Sequence, residues 1–448
     1  MLTIEQARDR AADIVARAKA AGADAADAVF AADRALSVSV RMGALEDVER
    51  SESEELGLRV FSGRRSASVS TSDLSSDALD TLVERALAMA REAPEDQWAG
   101  LAPQDRLLHG AAPLLDLDDG ANDSPETLKA RALAAEDAAR AVPGVTNSEG
   151  GGASLSRAVM AIATSHGFAQ GFAQTSHGLS ASVLAGTGSG MERDYAHHSS
   201  RHAATLQAPE AIGRLAGERA VARLNPQKIA SGAMPVVFDR RVSSGMLGHL
   251  LGAIAGAAIT RKTSFLLDAL GTQIFAKSVT ICDDPHRPRG LRSRPFDGEG
   301  LPVQPIKLVD EGMLETWLLD SASARQLGLE PTGHASRGIG GAPGVAPSNL
   351  YMQAGHIPPE TLIAEIDYGI LVTELIGQGV NGITGDYSRG AAGYLIEKGE
   401  ITRPVSEITI ASNLKDMFRA LTPANDLEFR YGINAPTLRI DGMTIAGE

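Results

Sequence analysis

The chain has 448 residues, a net charge of −14 and one cysteine, and 43% of its residues are hydrophobic. This length exceeds what one hydrophobic core usually organises, so two domains are expected. The apolar and charged fractions are typical of globular proteins and exclude a disordered chain. The acidic charge, without a cluster of Lys or Arg, argues against a nucleic-acid partner, and the lone Cys282 excludes an intramolecular disulfide framework.

The first 24 residues have the apolar spacing of an amphipathic helix, with Thr3 and Gln6 as a capping box. Charged residues interrupt this segment and no continuous apolar stretch follows it, so we do not expect a signal peptide. The expected compartment is the cytoplasm.

A diverged repeat is predicted in the first half of the chain. Residues 56–92 contain a strand, a glycine turn, a Ser/Thr-rich strand and an amphipathic helix, and residues 180–224 follow the same plan. A further pair of strands is predicted before each unit, at residues 35–54 and 156–178. The first half therefore combines hairpins with helices rather than forming a purely helical or purely β structure.

Residues 94–125 predict an irregular connection between the two units, followed by a helix. The repeated pattern stops near residue 225, where NPQKIASGA leads into a Val-Val-Phe strand. Helices on one face of a sheet are typical of the α+β class. We therefore predict an α+β protein in which residues 1–228 form an N-terminal domain of repeated strand-pair and helix units on a mixed sheet.

Residues 229–448 predict a C-terminal β-rich domain with few helices. Residues 306–320 and 393–405 each contain two apolar strands joined by a glycine turn. The sequence GIGGAPG, residues 338–344, lacks the strand-to-helix setting of a dinucleotide-binding fingerprint, so it predicts a flexible loop.

The main functional question lies in residues 243–264, SSGMLGHLLGAIAGAAITRKTS. The apolar run from Met246 to Ile259 is shorter than the ~20 residues that span a bilayer, so no membrane span is expected. As one helix, the segment has an apolar stripe and an opposite face that carries four glycines: Gly245, Gly248, Gly252 and Gly256, with His249 at the margin. Because a helical glycine costs up to about 1 kcal/mol relative to alanine, close approach of another backbone is expected. That backbone belongs either to this chain or to a partner or peptide.

Four segments, taken in order, resemble the TldD/PmbA family. They run from Val236 through Arg261-Lys262-Thr263-Ser264, over residues 295–333, over residues 383–405, and over PTLRIDGMTIAGE at residues 436–448. The likeness covers nearly the whole chain. In this family the TldD-type subunit carries a His-Glu-x-x-x-His motif just before the Arg-Lys pair, and a cysteine near the C-terminus, which hold zinc for peptide hydrolysis.

Counted back from Arg261 without gaps, the motif falls on Gly248, His249 and Ala253, and none of the three matches. Shifting the register by one residue does not restore the motif, and residues 242–266 contain no Asp or Glu. Zinc hydrolysis needs about three protein ligands and a base. The resemblance is therefore to the PmbA branch, also called TldE, with no metal ligand and no catalytic residue expected in this chain.

This resemblance implies a subunit without zinc and without independent activity, paired with a TldD-like zinc subunit. Its implied substrates are extended or unfolded peptides, such as microcin precursors and antitoxins, and whether it forms a homodimer in isolation stays open. The candidate peptide- or partner-contact residues are Gly248, Gly252, Gly256, Arg261, Lys262, Asp386 and Tyr387. For Asp386 and Tyr387, in ITGDYSRG, a tight turn is the other explanation.

Two other functions stay open. One is an active metallopeptidase with ligands outside the family motif, such as His197, His198 or His202 with Glu192. The repeat places these histidines on a Ser-rich strand or turn, which favours a solvated strand face. The other is a homodimeric regulatory or peptide-binding protein.

Overall fold

The computed structural model describes residues 2–448. The elements of the first half are α1 (Ile4–Ala20), β1 (Ala25–Arg41), β2 (Ala44–Ser62), β3 (Arg65–Thr71), α2 (Ser76–Glu92), α3 (Pro125–Arg140), β4 (Val145–Thr164), β5 (Ala169–Ala185), β6 (Glu192–Ser200) and α4 (Pro209–Ala222). Helix α1 begins at Ile4 because Thr3 and Gln6 form the predicted capping box.

The six strands of the first half form one sheet in the order β3-β2-β1-β4-β5-β6. Strands β1 and β4 pair at its centre, so that two units of helix, three strands and helix lie on either side. The α+β class and the repeat are confirmed, and α1 and α3 add a leading helix to each predicted unit. The sheet differs from the predicted mixed sheet, because every strand pair is antiparallel. Short hairpin turns join neighbouring strands within each unit, and such strands run in opposite directions.

The four helices of the first half cover two stretches of this sheet. Alternate residues of β1, such as Ala28 and Phe30, are buried under α1 and α2, whereas Val38 and Val40 are buried under α3 and α4. The alternation follows from the two-residue period of a strand, which directs every second side chain to the same face.

The elements of the second half are β7 (Gly232–Phe238), α5 (Arg240–Ile254), α6 (Gly256–Thr260), β8 (Ile281–Asp284), β9 (Ile306–Asp310), β10 (Met313–Leu314), α7 (Ser321–Leu327), β11 (Ala335–Ser336), β12 (Gly344–Val345), β13 (Asn349–Met352), α8 (Pro359–Ala364), β14 (Tyr368–Ile376), β15 (Asp386–Glu397), β16 (Glu400–Asn413), α9 (Leu414–Ala420), β17 (Leu421–Pro423), β18 (Ile433–Asn434) and β19 (Leu438–Ala446). Strand content dominates, and the predicted β-rich character is confirmed.

Five strands of the second half close on themselves. Strands β7, β14, β15, β16 and β19 are each hydrogen-bonded to two others of this set. A second sheet, in the order β10-β9-β8-β13-β18, contributes to the same large core as the inner faces of these strands and α5. We call the five-stranded ring the barrel.

The chain leaves α4 at Ala222 and enters β7 at Gly232, on either side of the predicted boundary between residues 228 and 229. The halves meet where residues 338–344 cross to the N-terminal sheet. A β-carbon built on Gly57 would lie 1.9 Å from the carbonyl oxygen of Ile339. Next to it, Arg337 pairs with the buried Asp27 at 3.0 Å, so the segment predicted as a flexible loop is held by a close backbone contact and an ion pair.

Candidate functional site

Helix α5 begins at Arg240, after Asp239, whose side chain accepts a hydrogen bond from the Arg241 N–H at 2.8 Å. It ends at Ile254 because residue 255 is extended (φ −65°, ψ 133°) and the chain pairs there with Leu318. The Gly256 N–H donates to the Leu318 carbonyl at 2.8 Å. The prediction of one continuous helix through Gly256 was therefore wrong. No helix among residues 2–448 is long and apolar enough to cross a membrane.

The predicted apolar stripe of α5 faces the C-terminal core. Of its five residues, Met246, Leu247, Leu250 and Ile254 are fully buried there, and Leu251 is partly buried against the same core. Their spacing of three and four residues places them on one side of the helix, as expected for an amphipathic helix.

The glycines of this segment fall into two groups. A β-carbon added at Gly245, Gly248 or Gly252 would meet no atom within 4 Å, so this part of the helix faces open space. At Gly256 it would lie 2.6 Å from the Ser323 β-carbon. Close packing within the chain thus accounts for Gly256 alone. We call Gly245, Gly248 and Gly252 the open glycine face.

His249 lies beside this open glycine face and contacts the barrel. Its ring meets the Tyr387 ring edge to face, with centroids 5.6 Å apart and an interplanar angle of 82°. Tyr387 is only 1% exposed. The His249 Nε2 and the Tyr387 hydroxyl are both buried, without a hydrogen bond of good geometry to any described residue.

Arg389 completes this group. It follows Tyr387 by two residues on β15, and alternate residues of a strand point to the same face. Burial, assisted by the Arg389 charge, lowers the pKa of His249 below its ordinary value of 6.5. Burial also raises the pKa of Tyr387 to about 12, and the neighbouring Arg389 partly offsets that rise. At neutral pH the site therefore holds a neutral imidazole, a protonated phenol and a guanidinium cation.

These side chains do not fit a zinc ion. Zinc in enzymes is held by about three His, Cys, Asp or Glu ligands, and here His249 is flanked by a phenol and a cation. The guanidinium charge opposes a second cation at the same place. Throughout residues 2–448, no three His, Cys, Asp or Glu side chains come together in a group that could hold a metal ion.

The remaining candidate contact residues lie elsewhere. Asp386 is exposed, and its carboxylate accepts hydrogen bonds from the Thr384 hydroxyl at 2.7 Å and the Asn413 amide at 3.1 Å. These bonds lower its pKa, Thr384 contributing most, and fit the tight-turn explanation. Arg261 and Lys262 are exposed where α6 ends, and Lys262 has a left-handed backbone with φ 57°. Their roles in binding stay predictions.

The histidines of the alternative metal site have separate surroundings. His197 lies between the Tyr195 and Tyr431 rings, with centroids 5.9 and 5.5 Å away. The His198 Nδ1 accepts a hydrogen bond from a backbone N–H at 3.2 Å. Burial, assisted by Arg430, lowers the pKa of both imidazoles. The imidazoles of His197 and His198 therefore each contact different groups of the protein.

His202 and Glu192 do not complete that alternative site. The His202 Nε2 lies 3.0 Å from the backbone oxygen of Asp116 and 3.2 Å from its carboxylate. The Glu192 carboxylate lies 3.4 Å from the Arg223 guanidinium, in an ion pair. The expected strand position of His197 and His198 is confirmed, because both lie on β6.

Family comparisons match three parts of the chain. Residues 26–90 match domain 1 of the PmbA/TldA metallopeptidases, residues 118–224 match their central domain, and residues 231–447 match their C-terminal domain. The C-terminal match includes α5 and β15, the two elements that bring His249 and Arg389 together.

Relatives and solved structures agree with these matches. Metalloprotease PmbA of Escherichia coli O157:H7 is 43% identical over 427 residues, which is 95% of this chain and 93% of that protein. The crystal structure of a gyrase-modulator candidate from Bacteroides thetaiotaomicron VPI-5482 has a TM-score of 0.91 at 29% identity and covers 100% of both chains. TldE from Thermococcus kodakarensis, at 20% identity, shares the fold with a TM-score of 0.87 over 98% of this chain and 100% of that chain. This chain therefore belongs to the PmbA/TldD family, and its match to PmbA covers 95% of its length.

Proposed function

We propose that this chain is the metal-free subunit of a cytoplasmic PmbA/TldD-type peptidase complex that cleaves extended or unfolded peptides. The observation that carries the proposal is the composition of the site at α5, where one imidazole stands beside a guanidinium cation and, within residues 2–448, no acidic side chains join it in a group that could hold a metal ion. A TldD-like subunit would supply the zinc and the cleavage chemistry. The proposal extends the family membership to a division of labour between two chains.

The open glycine face gives this chain a role in such a complex. Gly248 and Gly252 leave the backbone of α5 accessible, so an extended peptide or a segment of the partner can lie close to it. Close packing against the backbone of a peptide, without pockets for its side chains, gives little sequence preference, which suits a subunit that receives varied unfolded substrates. Arg261 and Lys262 are the proposed contacts for carboxylates or carbonyl oxygens nearby.

The first test compares this chain, a TldD-like subunit and their mixture. We expect no stoichiometric zinc in this chain, complex formation on mixing, and cleavage of an unfolded peptide only by the mixture. Elemental analysis, sedimentation and a fluorogenic peptide assay measure these three quantities. Zinc that is lost on substituting His197, His198 or His202, with cleavage by this chain alone, would support the alternative metallopeptidase instead.

A second test fills the open glycine face. Gly248→Leu adds a side chain where the structure has free space, so the chain should fold and the mixture should cleave peptides at least tenfold more slowly. Gly341→Leu is the matched control, because that glycine also has no atom within 4 Å of an added β-carbon. Equal cleavage with both variants would remove the glycine face from the proposal.

A further inference from the structure

Three side chains at the α5–β15 contact carry unused hydrogen-bonding capacity. The His249 Nε2, the Tyr387 hydroxyl and the Arg389 Nε are all buried without a well-formed hydrogen bond within the described chain. Even if Arg389 donates to the Tyr387 oxygen, the hydroxyl hydrogen still lacks an acceptor. A buried donor without an acceptor costs about 1–3 kcal/mol, so three such groups together indicate a binding role.

Arg389 forms no ion pair among residues 2–448, although the chain has 56 acidic and 42 basic residues. Other arginines near the barrel are paired: Arg403 lies 3.4 Å from Glu397, and Arg241 lies 2.8 Å from Asp194. Arg389 is half-buried. An anion from outside the chain would pair with this charge, as carboxylates pair with the other two arginines.

We propose that Arg389, Tyr387 and His249 bind a carboxylate group of a peptide lying along the open glycine face. A guanidinium and a phenol both donate hydrogen bonds, and a neutral imidazole donates one when its proton is on Nε2. Charge-assisted bonds from arginine to a carboxylate are about twice as strong as neutral ones. A cation would be repelled by Arg389, and an uncharged carbonyl group would leave its charge uncompensated.

The three donors indicate that the bound group is a carboxylate. That this carboxylate belongs to a peptide rests on the proposed function. Gly248 precedes His249 and faces open space, so a chain in extended conformation can lie beside this turn of the helix. The three donor atoms have almost no exposed surface, so the carboxylate reaches them when the partly buried side chain of His249 or Arg389 turns aside. The carboxylate can be the C-terminus of the peptide or the side chain of an Asp or Glu. The experiment distinguishes these two sources.

The test uses the isolated full-length chain and three probes in titration calorimetry: N-acetylated tetra-alanine with a free C-terminus, the same peptide amidated, and an amidated peptide with one internal Glu. We expect at least one carboxylate-bearing probe to bind tenfold or more tightly than the amidated tetra-alanine. The probe that does so identifies the source. Arg389→Gln should abolish the preference, and Tyr387→Phe, which keeps the ring, should reduce it several-fold.

Arg403→Gln is the matched control, because it removes a barrel arginine that already has a carboxylate partner, and it should keep the preference. Thermal unfolding of each variant shows whether it is folded; if Arg389→Gln is not, Tyr387→Phe and Arg389→Lys decide the question. Equal affinity for all three probes, or a preference that survives the loss of Arg389, would overturn the carboxylate site. Either result leaves the companion-subunit proposal standing, since that proposal is tested separately, by the zinc content of this chain and by peptide cleavage with each chain alone and with the mixture.

Discussion

Glu299 and Asp297 are buried carboxyl groups close to the contact between the two halves of the chain. Glu299 accepts hydrogen bonds from the backbone N–H and the hydroxyl of Ser321, at 2.9 and 2.7 Å. Burial, together with the charge of Asp297, raises the pKa of Glu299 to about 7, and burial raises the pKa of Asp297 to about 6. Both groups therefore change their charge close to neutral pH, which makes them sensitive to pH in the folded protein.

The raised pKa of Glu299 predicts a pH-dependent stability. Because its folded pKa lies above the ordinary value of 4.5, its contribution is fully present below pH 4.5 and is lost as the pH rises through about 7. The free energy of unfolding of the wild-type chain should therefore fall between pH 5 and pH 8. In Glu299→Gln the fall should be smaller than in the wild type by about 1–3 kcal/mol, because this carboxyl group is absent. Urea unfolding at both pH values measures the difference.

Glu84→Gln controls for the loss of one negative charge, because Glu84 is exposed on α2. It should leave the wild-type pH dependence unchanged. An unaltered pH dependence in Glu299→Gln as well would mean that this carboxyl group does not titrate as the burial indicates.

Individual site residues were only partly predictable from the sequence. His249 and Tyr387 were singled out by the family position and by the ITGDYSRG segment, but their contact joins residues 138 positions apart and has no local signal. Arg389 was missed. The alternation of β15 was the available signal, because it places Arg389 on the same face as Tyr387.

At the level of the helix, the glycines of α5 and α6 predict opposite effects of one substitution. Gly248→Ala should raise the free energy of unfolding by about 0.5–1 kcal/mol, since alanine favours a helix and the site has free space. Gly256→Ala should lower it by about 1–3 kcal/mol, because the added carbon would lie 2.6 Å from Ser323. Urea unfolding of the two variants measures both signs.

Gly256→Ala combined with Ser323→Gly is the control for that clash. The double variant should recover part of the lost stability if Ser323 is the obstacle. Destabilisation by both single glycine variants would contradict the open face at Gly248.

The stripe and the break of α5 differ in how far the sequence predicts them. The stripe follows from residues within one helix, so its periodicity identified four fully buried positions and one, Leu251, that is partly buried. The break at residue 255 depends on Leu318, which supplies the competing backbone partner from a distant part of the chain. A contact with a residue far away in the sequence cannot be predicted from the local pattern of residues.

For the whole molecule, the crossing of residues 338–344 predicts that one small substitution weakens the contact between the halves. Gly57→Ala would place a carbon 1.9 Å from the Ile339 oxygen, so the segment must move away. We expect a loss of about 1–3 kcal/mol in the free energy of unfolding and faster trypsin cleavage after Arg337, which is buried against Asp27 in the native chain. Mass spectrometry of a digestion time course identifies that cut.

Gly341→Ala is the control in the same segment, because its added carbon meets no atom within 4 Å. It should change the stability by no more than about 0.5 kcal/mol. Unchanged cleavage after Arg337 in Gly57→Ala would mean that the close backbone contact does not hold this segment in place.

The large-scale organisation followed from the sequence more reliably than the contact between the halves. Repeated hairpins and helices in residues 1–228, and hairpins in residues 229–448, reflect local periodicity and turn residues, which a sequence displays directly. The glycine-rich segment 338–344 looked flexible because its own residues suggest no structure. Its order comes from Gly57 and Asp27, which belong to the other half.

Closure of the barrel limits where a guest strand can be accommodated. All five of its strands already pair with two neighbours in the ring, whereas the N-terminal sheet keeps a long open edge. There, β3 covers β2 only from residue 56 onward, and within the described chain residues 44–55 are hydrogen-bonded on one side alone. That uncovered border reads ALEDVERSESEE, with six acids against one arginine. The acidic side chains of two copies would repel each other if these edges paired. A strand with basic side chains would therefore pair with this edge more favourably than an acidic one.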